Sequence, residues 1–186
     1  TIPQQFMNKI FYAEDFKNWA LSVCQVDYSN LMSKEPRLVI PFFDKANQLI
    51  GAQGRALQES KIRYVTVKVH EDAPKVFGLE RWKSDQHTYL VEGPIDSFFL
   101  PNCLAMAGAD MSDLSILNKD KTTLIFDNEP RNKEILKKLE EVIDLGYSVV
   151  IWNDKRLDGL KDINDMIKNG LTVTEVIDII DKCTFH

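Results

Sequence analysis

The sequence predicts an α/β protein in two parts: an N-terminal α+β subdomain over residues 1–85, and a C-terminal domain over residues 86–186 with a central parallel sheet flanked by helices. Paired apolar runs joined by a polar turn occur in the first part and are typical of an antiparallel hairpin. Short apolar runs that alternate with helical periodicity occur in the second part and favour parallel strands covered by helices. The length of 186 residues suits one domain or two small ones.

The N-terminal part begins with a helix and continues with antiparallel strands. Apolar residues recur at helical spacing over residues 14–23, which predicts a short amphipathic helix. The apolar runs 37–43 and 49–55 flank the polar turn 44–47, so they predict the two strands of a hairpin. A run of β-branched residues over 64–69 predicts a further strand.

Strands and helices alternate in the C-terminal part. The apolar runs are 88–92, 104–107, 122–126 and 148–152. The helical patterns are 95–100, 132–145, 161–168 and 173–182. On the helix 132–145, Glu134 with Lys138 and Lys137 with Glu141 are interpreted as solvated i,i+4 ion pairs. The polar connection with Asp110, Asp113 and Asp120 is expected to face solvent.

The charge is unevenly distributed along the chain. The net charge of −5 argues at first against a nucleic-acid-binding protein, which usually has a basic surplus. However, residues 1–85 carry 12 Lys and Arg against 10 Asp and Glu, while residues 86–186 carry 11 against 18. The acidic C-terminal part therefore indicates either a solvated surface or carboxylates gathered around a cation.

Several classes of site and location have no support in the sequence. The three cysteines, Cys24, Cys103 and Cys183, are far apart and form no CxxC pair, which excludes a disulfide framework and a zinc ribbon within this chain. The isolated histidines form no zinc-hydrolase motif. No apolar run approaches the roughly 20 residues of a membrane span, and residues 1–10 lack the pattern of a secretory signal. These absences favour a cytoplasmic protein.

Carboxylates follow the predicted strands of the C-terminal part. Glu92, Asp127 and Asp154 stand at strand ends, Glu129 lies two residues beyond Asp127, and Asp96 lies one turn past Glu92. Ligand sites of open parallel sheets lie at this edge, and magnesium prefers oxygen ligands. Acids at strand ends are also common turn and helix-cap residues. The spacing by itself leaves a metal site and solvated caps as equal alternatives.

Two segments of the C-terminal part resemble known catalytic motifs. Leu90–Asp96 is similar to the glutamate motif of the Toprim domain, and Ile125–Glu129 is similar to its Asp-x-Asp motif. The Toprim domain is shared by bacterial-type primases, topoisomerases and some nucleases. The resemblance implies a Toprim domain with a central parallel sheet over residues 86–186.

Further segments narrow the resemblance to the primases. The upstream segments that resemble, in order, the basic subdomain before Toprim in bacterial-type primases are Arg37–Pro41, Gly51–Arg55, Arg63–Tyr64 and Lys75–Arg81. The segments most similar to DNA primases of T-even-type bacteriophages are Glu92–Ser97, Asp127–Arg131 and Lys161–Met166. The similarity runs from about residue 35 to about residue 180. It implies host cytoplasm as the location of a phage-encoded protein.

The resemblance implies a set of site residues. The implied metal ligands are Glu92, Asp96, Asp127, Glu129 and Asp162, of which Glu92, Asp127 and Glu129 are the catalytic acids. The implied nucleotide- or template-binding residues are Arg55, Arg63, Lys75 and Lys161. Arg55 follows Gly54, and glycine in a strand allows a close approach by a backbone or a phosphate. Glu129 departs from the usual Asp, and Asn164 stands where the family often has a second acid.

The function implied by the resemblance is magnesium-dependent synthesis of short RNA primers on single-stranded DNA, with manganese as a substitute metal. The implied partners are the DNA template, ribonucleoside triphosphates and a replicative helicase, without a membrane. A zinc-binding template-reading module is expected elsewhere, because this chain has no ligands for one. The alternatives are a Toprim nuclease that hydrolyses phosphodiesters and a non-catalytic nucleic-acid-binding or regulatory module.

Overall fold

The structure is a computed structural model that describes residues 9–108 and 115–186, and it divides the chain into two compact units. Of the described residues, the N-terminal unit comprises 9–81 and 106–108, and the C-terminal unit comprises 82–105 and 115–186. The boundary at residue 85 stays a prediction. Asp120 is exposed as expected, and Asp110 and Asp113 lie outside the described residues.

Within its described residues, the N-terminal unit contains a four-stranded antiparallel sheet and one α-helix. Its elements are β1 (Phe11–Ala13), α1 (Phe16–Val23), β2 (Arg37–Phe43), β3 (Leu49–Ala56) and β4 (Tyr64–Lys68). The strand order is β1-β2-β3-β4, so the predicted hairpin and the further strand are confirmed as neighbours. The short strand β1 was not predicted, because its three residues carry no alternation that a sequence pattern reveals.

The apolar side of α1 forms the core of this unit with the sheet. Asp15 caps the helix, since its carboxylate accepts a hydrogen bond from the Asn18 backbone N–H at 3.1 Å. Phe16 and Ala20 are buried one turn apart and belong to one cluster with residues of the strands. The strand residues of that cluster are Ala13, Val39, Ala52 and Val67. The apolar side chains of the helix and those of the strands therefore pack together in one apolar layer.

Gly54 on β3 allows the closest approach between α1 and the sheet. A Cβ atom at this position would lie 2.6 Å from two ring carbons of Phe16 and 3.0 Å from the Cδ of Arg37. The substitution Gly54→Ala is therefore expected to lower the free energy of unfolding by about 1–3 kcal/mol through overpacking. Urea denaturation measures this loss. The loss is expected to shrink when Phe16→Leu is also present, because leucine lacks the two ring carbons; an equal loss in both backgrounds contradicts the packing explanation.

The C-terminal unit contains a five-stranded sheet with helices. Its elements are β5 (Thr88–Val91), β6 (Cys103–Ala105), β7 (Thr122–Ile125), α2 (Lys133–Asp144), β8 (Ser148–Val150), α3 (Ile163–Lys168), α4 (Val173–Cys183) and β9 (Thr184–Phe185). The strand order is β6-β5-β7-β8-β9. The first four strands are parallel, and β9 is an antiparallel edge strand. The predicted α/β class with a parallel sheet is confirmed, and the antiparallel edge is an addition to it.

The helices of this unit pack on the sheet through buried apolar residues. Ile135 and Val142 of α2 are buried, and α2 contacts β8. Helix α4 contacts both β8 and α3. The predicted helix over 95–100 is only a 3₁₀ turn at Asp96–Phe98. Within the described ranges, no helix has both the length and the apolar character that crossing a membrane requires.

Candidate active site

Glu92 and Asp127 meet at the carboxyl ends of two neighbouring parallel strands. Val91 of β5 pairs with Ile125 of β7, so both strands end at the same edge of the sheet. The Asp127 backbone N–H donates to the Glu92 Oε2 at 3.1 Å, which fixes one carboxylate against the backbone of the other. The sequence-based expectation that these two acids share one place is a direct consequence of parallel pairing.

Asp96 and Asp162 bring two further carboxylates to the same cavity. The four acids that line it are Glu92, Asp96, Asp127 and Asp162. Asp162 caps α3 and accepts from the Asp165 backbone N–H at 2.7 Å. The Asp96 Oδ1 accepts from the Asn164 backbone N–H at 2.9 Å, so Asp96 is held against the first turn of the same helix. Asn164 thus contributes a backbone N–H to the site.

Asn128 holds the two loops of the cavity together. Its side-chain amide donates to the carbonyl oxygens of Leu157 and Leu160 at 3.2 and 2.9 Å. Its backbone N–H donates to the Lys161 carbonyl oxygen at 2.6 Å. These bonds keep the loop before α3 next to the end of β7. Sequence reasoning missed Asn128, because a polar residue between two acids gives no sign of its distant partners.

The crowded carboxylates shift the pKa values of two acids upward. Burial, followed by repulsion from Asp162, raises the pKa of Asp96 to about 7. Burial, followed by repulsion from Glu92, raises the pKa of Asp127 to about 6, although Lys161 opposes part of this rise. Negative charge is therefore concentrated in the cavity beyond what the neighbouring cations offset.

Glu129 lies beside the cavity. Its carboxylate accepts from the Asn132 side-chain amide at 2.8 Å and lies 3.0 Å from the Lys161 Nζ. The hydrogen bonds from Asn132 and Lys161 lower the pKa of Glu129. Lys161, which the resemblance assigns to nucleotide or template binding, also lies 3.5 Å from Asp127. Lys161 therefore links Glu129 to the acids of the cavity.

Lys138 is a second cation at the site. Its Nζ lies 2.5 Å from the Glu92 Oε1, so the ion pair joins α2 to the end of β5. The i,i+4 pattern predicts Glu134 as the partner of Lys138, and that prediction is wrong. Sequence reasoning missed this contact, because the two residues are far apart along the chain.

Asp154, the third acid predicted at a strand end, does not line this cavity. Its carboxylate caps a 3₁₀ turn and contacts Arg156 at 2.6 Å. The hydrogen bonds from Arg156 lower the pKa of Asp154 to about 2. Asp154 therefore takes the role of a turn cap.

The donor set of the cavity suits a hard divalent cation. Among the residues that the structure describes, no group of three or more His, Cys, Asp or Glu side chains is arranged ready to hold a metal ion. The four lining carboxylates nevertheless provide only oxygen donors, which magnesium prefers. The raised pKa values of Asp96 and Asp127 indicate an excess of negative charge that a cation would neutralise. The residues therefore fit magnesium by chemistry and by charge.

The predicted phosphate-binding residues Arg55, Arg63 and Lys75 belong to the N-terminal unit. The guanidinium carbons of Arg55 and Arg63 lie 5.7 and 5.6 Å from the centre of the Tyr64 ring, which is exposed. Lys75 is half-buried before the 3₁₀ turn Leu79–Arg81. The space beside Gly54 is filled by the Phe16 ring, so this glycine serves packing. Sequence reasoning missed Tyr64 as a partner of the two arginines.

Comparison with known proteins identifies relatives in sequence and in fold. No protein-family model matches the chain. The chain is 34% identical over 180 residues to the DNA primase of Enterobacteria phage T4, and the alignment covers 95% of this chain and 52% of the phage protein. The chain therefore spans about half the length of that relative.

The solved structures that are similar in fold include two primase structures. The structure of the DnaG primase catalytic domain bound to single-stranded DNA matches with a TM-score of 0.67 at 15% identity, over 99% of this chain and 68% of that one. The primase fragment of the bacteriophage T7 primase-helicase protein matches with a TM-score of 0.55 at 16% identity, over 80% of this chain and 64% of that one. At these identities the likeness concerns the fold alone.

Proposed function

We propose that the chain carries a Toprim domain of the primase type and is the catalytic core of a DNA primase. As a nucleotidyltransferase, it would join ribonucleotides into short primers on single-stranded DNA during replication. The observation that carries the proposal is the cavity lined by Glu92, Asp96, Asp127 and Asp162 at the carboxyl edge of the parallel sheet. The 34% sequence identity to the DNA primase of phage T4 supports this proposal.

Magnesium, with manganese as a substitute, is the proposed cofactor. Glu92, Asp96, Asp127 and Asp162 would hold it, and Glu129 is proposed as a further ligand beside the cavity. A bound divalent cation supplies charge neutralisation at the phosphates and a lower pKa of the attacking hydroxyl. The backbone contact from Asp127 orients the Glu92 carboxylate, and Asn164 orients that of Asp96. These contacts hold the carboxylate oxygens in position before the substrate binds, so the side chains need to move less during the reaction.

The basic residues are proposed to contact phosphates. Arg55 and Arg63 flank the exposed ring of Tyr64, an arrangement that suits a nucleic-acid strand, since guanidinium groups bind phosphates and aromatic rings stack on bases. Lys75, in the same N-terminal unit, is also proposed to contact a phosphate. Lys161, next to Asp127 and Glu129, is proposed to contact the phosphates of the incoming nucleotide.

The proposed partners follow from the relatives. Single-stranded DNA and ribonucleoside triphosphates would be the template and substrates, and one structural relative is bound to single-stranded DNA. A replicative helicase is proposed because another relative belongs to a primase-helicase protein. A zinc-binding template-reading module is proposed to lie outside these residues, and the cytoplasm is proposed as the location.

Incubation of the chain with labelled single-stranded DNA and magnesium, with and without ribonucleoside triphosphates, tests the proposal. We expect short RNA products that appear only when both nucleotides and magnesium are present. Gel electrophoresis with nuclease and alkali treatment identifies the products as RNA. Cleavage of the DNA without nucleotides would favour a Toprim nuclease instead. Binding of DNA without either reaction would favour a non-catalytic module.

A further inference from the structure

Both oxygens of the Glu92 carboxylate are engaged by the chain itself. The Oε1 atom lies 2.5 Å from the Lys138 Nζ, and the Oε2 atom accepts from the Asp127 backbone N–H at 3.1 Å. The contact with the Asp127 N–H is made by the backbone at the end of β7, so it is fixed by the sheet. The contact with Lys138 is made by a long, flexible side chain on α2, so another cation can replace it.

The Lys138 side chain is more exposed to water than the Glu92 side chain that it contacts. Its side chain is 47% exposed and that of Glu92 is 23% exposed. The ammonium group lies 5.8 Å from the centre of the Phe126 ring. Ion pairs with such exposure are weak, because water competes for both partners. The pair therefore holds Glu92 in place without a strong barrier to its opening.

The other charged groups around Glu92 do not duplicate this contact. Lys161 pairs with Asp127 and Glu129 rather than with Glu92. Asp96 and Asp162 line the same cavity and add negative charge. Among the described residues, Lys138 is therefore the cation that forms an ion pair with the Glu92 carboxylate.

We propose that Lys138 is a built-in counter-ion of Glu92 that competes with the divalent cation, so that metal binds only as the ammonium group leaves the Oε1 atom. The inference rests on the proposed function, because it takes Glu92 as a metal ligand. An ammonium and a dication repel each other and require the same oxygen. Lys138 therefore lowers the affinity of the site for free metal and keeps Glu92 oriented until metal binds.

The substitution Lys138→Gln is expected to tighten binding of manganese on the order of 10-fold, because a positive charge a few ångströms from the dication is removed. Damage to the site would weaken binding, so a gain in affinity separates competition from a structural role. Lys138→Arg keeps the charge and is expected to bind manganese within about 2-fold of the unchanged chain. The gain in Lys138→Gln is expected to shrink at high salt, which screens exposed charges.

Lys137→Gln is the matched control, since Lys137 is the exposed neighbour on α2 and its loss changes the net charge equally. Its manganese affinity is expected to change less than about 2-fold. The measurement is a titration of manganese into each full chain, without nucleotide, followed by the electron paramagnetic resonance signal of the free ion. Circular dichroism establishes that each variant is folded.

Equal or weaker manganese binding by folded Lys138→Gln, with normal binding by the unchanged chain, overturns the inference and leaves the proposed function standing. Absence of binding in every chain overturns both. If Lys138→Gln does not fold, acetylation of the unchanged chain decides the question by mass spectrometry. Lys138 is then expected to react faster when manganese saturates the site, and an unchanged or slower rate overturns the inference.

Discussion

Replacing Glu92 with Gln is expected to reduce magnesium-dependent dinucleotide synthesis by about 100- to 1000-fold or more while the fold stays intact. The amide cannot supply the negative charge that the proposed metal site requires, and losses of this size follow when a preorganised electrostatic contact is removed. The amide oxygen can still accept from the Asp127 backbone N–H. The ion pair with Lys138 is lost, but an exposed pair of this kind contributes less than about 1 kcal/mol.

A matched variant separates the site from a general effect of lost charge. Glu134 lies on α2, is exposed, and undergoes the same chemical change in Glu134→Gln. We expect this variant to retain the rate of the unchanged chain. Single-turnover assays with labelled nucleotide measure the rates, and thermal unfolding establishes that both variants are folded. Full activity in folded Glu92→Gln would refute the assignment of Glu92 to the metal.

Asp96→Asn is expected to stabilise the metal-free chain at pH 8 by about 2 kcal/mol or more, which corresponds to a rise in Tm of roughly 4–8 °C. Burial and repulsion from Asp162 raise the pKa of Asp96 from 3.8 to about 7 in the folded chain. The folded state therefore binds a proton more tightly than the unfolded state does. The stability that this protonated group provides is present below about pH 4 and is lost as the pH rises through about 7. Asparagine stays neutral throughout and avoids that loss.

The pH dependence is the decisive part of this prediction. In buffer with a metal chelator, we expect Asp96→Asn to gain at most about 1 kcal/mol over the unchanged chain at pH 4.5 and a clearly larger amount at pH 8. Asp154→Asn is the control with the opposite sign, because the pKa of Asp154 is lowered to about 2 and its charged form is the favoured one. That variant should gain no stability at either pH. An equal gain for Asp96→Asn at both pH values contradicts the electrostatic explanation.

The sequence located the acids at the strand ends with different success. Glu92 and Asp127 were located from the apolar runs before them, because adjacent parallel strands end at one edge. The same reasoning placed Asp154 at this edge, yet its carboxylate binds a local partner, Arg156. A strand end gives the position of a residue but does not determine which group its side chain contacts.

Sequence patterns and motif resemblance determined the α/β class, most of the strands and helices, and the four carboxylates that line the cavity, because periodicity and motif spacing are local properties of the chain. The tertiary structure alone decided the partners of the longer side chains. Helical spacing predicts Glu134 as the partner of Lys138, whereas the folded chain places Lys138 against Glu92, 46 residues away. Asn128 likewise ties the loop before α3 to the end of β7 through carbonyl oxygens about 30 residues away. Such contacts depend on which strands are neighbours and how a helix packs across them, and no local pattern contains that information.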